Sequence, residues 1–308
     1  MRESSLNAVF MGSKSLGLSV FRQLIESSQK HGVNWHIVHP RDQFDTRSNL
    51  SEWHELARQN GIDLTITNKK SDLTEIVKAL NPSFAFVCGW YSLIANEILE
   101  AVPKGVWGIH NSLLPKYRGH SPLVWSIING EPYVGSTCFK ISSGIDDGPI
   151  LFQVRIENSL EDDISTLTQK IEKSLIKELS EKFDDFVSGT LETRLQDNKV
   201  SSFCSKREPA DGRIDWNKTA LQLHNFIRAQ TFPYPGAFFV SEDKVIRVLK
   251  SRIFPNSCFG VPGQVISSKD SLLIACGSGS AIEVLLVGID EMTLNPVEYF
   301  KSNRYRFS

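Results

Sequence analysis

Two side chains in this 308-residue sequence have the type and setting for proton-transfer chemistry, His110 and Asp146. His110 closes the apolar run Gly105-Val-Trp-Gly-Ile-His110 and opens the loop Asn111-Ser-Leu-Leu-Pro-Lys-Tyr-Arg-Gly119. Asp146 lies in Ser142-Ser-Gly-Ile-Asp-Asp-Gly148, a loop flanked by glycine. A carboxylate beside an imidazole fixes its tautomer, raises its basicity and stabilises the cation formed in proton transfer. Taken singly, each residue has a plainer role. A histidine at a strand end is usually structural, and Asp146-Asp147-Gly148 makes a good solvated turn. The elements that carry them decide between the two.

Residues 7–11 form an apolar run, and Leu18, Phe21, Leu24 and Ile25 then recur at helical spacing. Residues 34–38 predict a second strand, and 49–60 a helix stopped by Gly61. Residues 83–88 are continuously apolar, as in a buried parallel strand. Strands follow at 105–110, 135–141 and 149–156, with helices at 122–129 and 164–187. This alternation specifies an α/β fold. Polar residues gather at 189–211, read as a linker between a domain at 1–188 and one at 212–308. The second domain has a helix at 219–228 and five short β runs at 237–240, 245–249, 263–266, 272–275 and 282–287, the pattern of a small barrel. Ligands of open α/β sheets bind where strands end, which selects Cys88-Gly-Trp-Tyr91, 110–119 and 142–148.

The segment from His110 to Gly119, with Pro122, Asn129-Gly130, Gly135-Ser-Thr137 and Asp146-Asp-Gly148-Pro-Ile150, resembles the signature of the folate-dependent formyltransferases. The 36-residue separation of His110 and Asp146 fits that family and selects Asp146 over Asp147. Phe86 to Ile94 is similar to its folate strand and loop, and Asp215-Trp216 to Ala237 to its C-terminal domain. The resemblance implies a Rossmann-like catalytic domain with a mainly parallel sheet and an OB-like C-terminal barrel. It implies 10-formyltetrahydrofolate as formyl donor, attacked at the formyl carbon by an uncharged primary amine, with the folate nitrogen leaving. His110 and Asp146 would be catalytic. Cys88, Gly89, Trp90, Tyr91, Leu93 and Ile94, with Ser142, Gly144, Ile145 and Asp147, would hold folate largely through backbone groups. Ser112, Leu113, Arg118, Gly119 and His120 would face the acceptor, although loop bracing suits Arg118 equally well.

One position departs from the family, which usually places an oxyanion-holding asparagine two residues before the histidine; here it is Gly108. Alternation along a strand puts residue 108 on the face of His110 and starts Asn111 on the other, unless the chain bends just after His110. Ser112, His120, a water or backbone N–H groups are the candidate substitutes.

Composition sets the remaining expectations. Net charge is −1, with 13 Lys and Arg against 10 Asp and Glu in residues 206–308, a net +3 that leaves −4 for residues 1–205. No overall positive field exists to grip a nucleic-acid backbone. In 39–47, where the tRNA-specific branch carries a basic insertion, Arg41 and Arg47 are set against Asp42 and Asp45. Leu113 to Gly119 and Tyr234 to Phe238 look closer to the branch acting on nucleotide-linked amino sugars, the expected acceptor; methionyl-tRNA is the alternative, and a catalytically impaired folate- or nucleotide-binding homologue is a third reading. Five scattered cysteines without Cys-x-x-Cys spacing, no leader-like start and no long apolar run indicate a cytoplasmic protein without metal or membrane partner, with a homodimer open. His36 and His39 point to opposite strand faces, against a metal pair, and Gly12-Ser-Lys-Ser-Leu-Gly17 lacks the spacing of a phosphate loop.

Overall fold

The period-two alternation of β1 (Leu6–Gly12) sends Phe10 to one face of the sheet and Val9 and Met11 to the other. In this computed structural model, residues 6–67, 70–267, 271–290, 292–300 and 305–307 are described, side chains 70 and 71 apart. Residues 1–5, on which the reading of the start partly rests, and the last residue of the expected C-terminal domain lie outside them. The remaining strands of the first sheet are β2 (Val33–Pro40), β3 (Asp63–Thr67), β4 (Phe84–Cys88), β5 (Val106–His110), β7 (Tyr133–Lys140) and β8 (Ile150–Glu157). Their spatial order is β3-β2-β1-β4-β5-β7-β8. The pairs from β3 to β5 are parallel, whereas β5 meets β7 antiparallel, so the sheet is mainly parallel.

Helices α1 (Lys14–Ser28), α2 (Leu50–Asn60), α3 (Lys70–Leu80), α4 (Asn96–Ala101) and α6 (Ile164–Ser188) accompany these strands. On the Phe10 face, Phe21, Trp35, Trp53, Phe84 and Phe86 pack ring on ring, and Phe186 of α6 meets Phe86 at 4.8 Å and Trp107 at 5.3 Å. On the other, Val9, Met11, Val38, Ala85 and Val87 pack with Leu73, Val77 and Ile98. Strand order reverses between β1 and β4, where such folds place ligands. Glycine is required there: a Cβ on Gly12 would stand 2.4 Å from the Cys88 carbonyl oxygen, and one on Gly89 2.2 Å from that of Ser13.

A second compact unit comprises residues 123–134, 157–168 and 205–308. It takes most of α5 (Pro122–Ile128) and includes α7 (Ala220–Arg228) and α8 (Pro296–Tyr299). Its strands are β10 (Ala237–Ser241), β11 (Lys244–Ile253), β12 (Val265–Ser267), β13 (Leu272–Cys276), β14 (Ser280–Ile289) and β15 (Met292–Leu294), paired antiparallel in the order β10-β11-β14-β13-β12 with β15 on β14. Register shifts in β11 between Val248 and Ser251 add the curvature a small barrel needs. Inside it, Trp216, Leu223, Phe239, Ile246, Ile274, Val287 and Phe307 are buried together.

Two short strands, β6 (Arg118–Gly119) and β9 (Phe203–Cys204), form a parallel pair in the first unit, which comprises residues 1–122, 135–156 and 169–204. The stretch 189–204, expected to serve only as linker, therefore clusters with the first unit and pairs with the loop after β5.

Candidate active site

His110 ends β5, with its ring buried and Thr137 of β7 as register partner. Its Nε2 lies 2.7 Å from the backbone oxygen of Tyr117. A carbonyl oxygen only accepts, so Nε2 carries a proton and donates it. Nδ1 faces Asp146, whose Oδ2 is 3.6 Å away. Asp146 has a left-handed backbone, φ +48°, and its Oδ2 accepts the Gly119 N–H at 2.8 Å. Gly119 cannot be replaced without disturbance, since its φ is +101° and a Cβ would stand 2.5 Å from the Cys204 carbonyl oxygen. Histidine and aspartate thus meet at one end of the sheet, each oriented by a backbone group of the loop between β5 and α5.

Asp147 is engaged elsewhere. Its carboxylate accepts the Ser142 hydroxyl and covers Gly144, where a Cβ would stand 2.1 Å from Oδ2. Ser112 braces its own loop, with the hydroxyl donating to the Lys116 carbonyl at 2.7 Å and the N–H to that of His110 at 2.9 Å. The chain therefore does bend after His110. Even so, Oδ1 of Asn111 accepts from Ser136, which neighbours Thr137 on β7 and so points to the opposite face from His110. Leu113 lies against Gly135, while the His120 side chain is exposed and its N–H donates to the Cys204 carbonyl.

Arg118, expected among the acceptor-facing residues, is buried and spends its donors internally: Nε and Nη2 on Gln196 Oε1, at 3.1 and 2.7 Å, and Nη2 also on Asn198 Oδ1 at 2.8 Å. Gln196 completes the junction through Nε2, which donates to the carbonyl oxygens of Asp146 and Gly148, both at 2.8 Å. Sequence reading passed over Gln196 because a lone glutamine in a polar stretch carries no motif.

Gly108 is crowded. A Cβ there would lie 2.9 Å from the Phe139 ring and 3.1 Å from the Ile141 side chain, so apolar groups of β7 and the following loop border the place of the family's asparagine.

The segment expected to hold folate divides by burial. Cys88 and Ile94 are core residues, burial pushing the Cys88 thiol up to about 12, which keeps it neutral. Tyr91, Leu93 and Ile145 are half-exposed or more. The buried Nε1 of Trp90 has no hydrogen-bond partner among the described residues. The exposed apolar side chains suit an aromatic heterocycle, whereas the Trp90 donor is closed off against the core. Nearby, Lys14 Nζ stands 5.8 Å from the Tyr91 ring centroid and pairs with Asp42 at 2.5 Å and Asp45 at 3.1 Å. Asp45 also takes Arg47 at 2.8 Å, and these cations hold its carboxyl well below the usual range. Among the described residues no group of histidine, cysteine and carboxylate side chains is arranged for a metal, and no helix is long and apolar enough to cross a membrane.

Comparison with known proteins agrees with this architecture. The chain is 29% identical over 304 residues to a methionyl-tRNA formyltransferase of Thermodesulfovibrio yellowstonii, covering 97% of this chain and 96% of that one. It shares its fold with WlaRD, a sugar 3N-formyl transferase solved in the presence of dTDP and 5-N-formyl-THF, with TM-score 0.67, 18% identity and coverage of 94% of this chain and 100% of that one. The same holds for the Helicobacter canadensis N-formyltransferase in complex with folinic acid and dTDP-3-aminofucose, with TM-score 0.67, 20% identity and coverage of 91% and 98%. The formyl transferase model matches residues 8–182 and the formyl transferase C-terminal domain model residues 206–304. With more than half its length matched by the first of these alone, the chain belongs to the formyl transferase family of enzymes.

Proposed function

We propose that this protein is a cytoplasmic N-formyltransferase that moves a formyl group from 10-formyltetrahydrofolate to the primary amine of a nucleotide-linked amino sugar. The observation that carries the reaction is the pair His110–Asp146, held 3.6 Å apart by opposed backbone anchors. The donor supplies a formyl carbon open to attack. With the Tyr117 carbonyl occupying Nε2–H, the neutral ring presents its Nδ1 lone pair beside the Asp146 carboxylate. An amine placed between them loses its proton to Nδ1 as it attacks. The imidazolium so formed lies between two acceptors, the Tyr117 carbonyl and the Asp146 carboxylate, and returns the proton to the departing nitrogen. Tyr91, Leu93 and Ile145, with the backbone of both loops, hold the heterocycle.

Charge supports the sugar acceptor. Lys14 of α1 and Arg47 are taken up by Asp42 and Asp45 in the loop after β2, which leaves one surplus cation there, Arg41, where a grip on a phosphate backbone would need several. The 29% identity to a methionyl-tRNA formyltransferase across nearly the whole chain favours the second reading, initiator methionyl-tRNA. A turnover assay with 10-formyltetrahydrofolate against a panel of nucleotide-linked amino sugars, with charged initiator tRNA in parallel, tests both. Transfer to one sugar is expected, abolished in His110→Ala and cut roughly a hundredfold, to a still measurable residue, in Asp146→Asn. Transfer to tRNA alone would assign the other acceptor, and full activity in either variant would remove the pair from catalysis.

A further inference from the structure

Both groups that orient the catalytic pair are themselves held by one short segment, residues 196–204. At one end Gln196 donates twice to the Asp146 loop, on the carbonyl oxygens of residues 146 and 148, and accepts twice from Arg118. At the other, Ser202 Oγ accepts the N–H of Tyr117, the residue whose carbonyl fixes His110, and the Ser202 carbonyl accepts the N–H of Arg118. The β6–β9 pair then continues to Gly119, whose N–H fixes Asp146. A two-sided splint therefore spans the loops that carry acid and base.

Resting on the formyl-transfer reading, we infer that Gln196 is a positioning residue that sets the separation and mutual orientation of His110 and Asp146. Its amide touches neither reacting atoms nor the catalytic side chains. It acts through the Asp146 backbone, which is left-handed at a non-glycine residue and needs outside support to remain so. All four donor and acceptor demands on the amide are met in one orientation only, Nε2 on the two carbonyls and Oε1 on the guanidinium. A carboxylate at this position keeps the arginine and loses the donors. The oxygen that replaces Nε2 then faces two carbonyl oxygens, repels them, and releases the Asp146 loop.

That asymmetry gives a test in the full-length enzyme. Gln196→Met keeps shape and removes every hydrogen bond, whereas Gln196→Glu keeps the half that anchors Arg118. Misplacement on the ångström scale costs up to roughly 10²-fold in turnover. Both variants are expected to lose about tenfold or more in kcat with little change in either KM, and Gln196→Met should add nothing in an Asp146→Asn background, as for residues acting as a unit. A thermal midpoint near wild type shows that the variants fold. Wild-type kcat in Gln196→Glu, or a multiplicative loss in the double variant, would overturn the assignment and leave a loop brace. The ring Cε1–H resonance of His110, assigned by its absence in His110→Ala, gives a readout independent of acceptor. It is expected to move in Gln196→Met; an unmoved resonance also overturns the inference. Wild-type silence with every acceptor would instead indict the formyl-transfer reading, while the resonance still decides the role of Gln196.

Discussion

Gly108 shows how a single residue constrains its neighbours. Its register partner across the β5–β7 ladder is Phe139, and the ring of that residue stands 2.9 Å from where a Cβ would be. An asparagine introduced here must displace Phe139 and Ile141, the second of which packs with Phe139 among Leu114 and Ile150. Overpacking of this kind typically costs about 1–3 kcal/mol. Gly108→Asn is accordingly expected to lower the unfolding midpoint without raising turnover. With Phe139→Val added to make room, stability should recover, and any oxyanion stabilisation by the new amide should emerge as a rise in kcat. A large gain from Gly108→Asn alone would show that the apolar pair yields freely and that the native site is merely short of a donor. His110 and Asp146 were legible in the sequence because their loops concentrate polar and glycine residues after apolar strands. The apolar crowding was not, because Phe139 lies 31 positions from Gly108 and only the antiparallel register brings it there.

At the scale of elements, legibility followed the strength of the periodic signal. Strands β1, β2, β4 and β5 and the long helix α6 announce themselves by buried apolar runs or a sustained helical stripe. Strand β3 does not: Asp63-Leu-Thr-Ile-Thr67 lies at the sheet edge and holds only two apolar residues. Helices α3 and α4 and strand β15 are equally unforeseen: β15 is three residues long and α4 six, while α3 carries an ordinary helical length and its stop at Asn81-Pro82, a signal the reading passed over. Two buried histidines test how elements are tied together. His39 on β2 is fully buried and donates from Nδ1 to the Pro40 carbonyl; His224 on α7 is held between the Leu160 carbonyl and Ser251 of β11. Burial lowers the pKa of each below 6.5. The unfolded chain therefore takes up protons at these positions at a pH where the folded chain refuses them. Stability should be indifferent to them above the ordinary histidine range and fall as pH drops below about 6.5 toward their folded values, by at most about 1.4 kcal/mol per group per pH unit. Denaturant unfolding at pH 7.5 and 5.5 measures this. His224→Gln is expected to reduce the difference, and an unchanged difference would place the pH dependence elsewhere.

At the scale of the whole molecule, the question is what electrostatic field the protein presents to its acceptor. A net charge of −1, with −4 in residues 1–205, leaves little long-range attraction for a polyanion. Arg118 and the Lys14–Arg47 cluster, cations that a sequence offers to phosphate, are satisfied within the first unit. A protein making six to ten phosphate contacts loses roughly 10³ to 10⁵ in affinity between 50 and 200 mM salt. An enzyme recognising a nucleotide-linked sugar meets at most a few phosphate charges and should show a far shallower dependence. Salt effects unrelated to phosphate contacts can be separated by measuring KM for the sugar acceptor and inhibition by initiator tRNA over the same salt series. The expected outcome is a KM that varies gently with salt and no inhibition by tRNA even at 50 mM. Tight inhibition that collapses as salt rises would instead mean that cations outside the β2 loop line up on a phosphate backbone, and the likeness to a methionyl-tRNA formyltransferase would then extend from chain to acceptor.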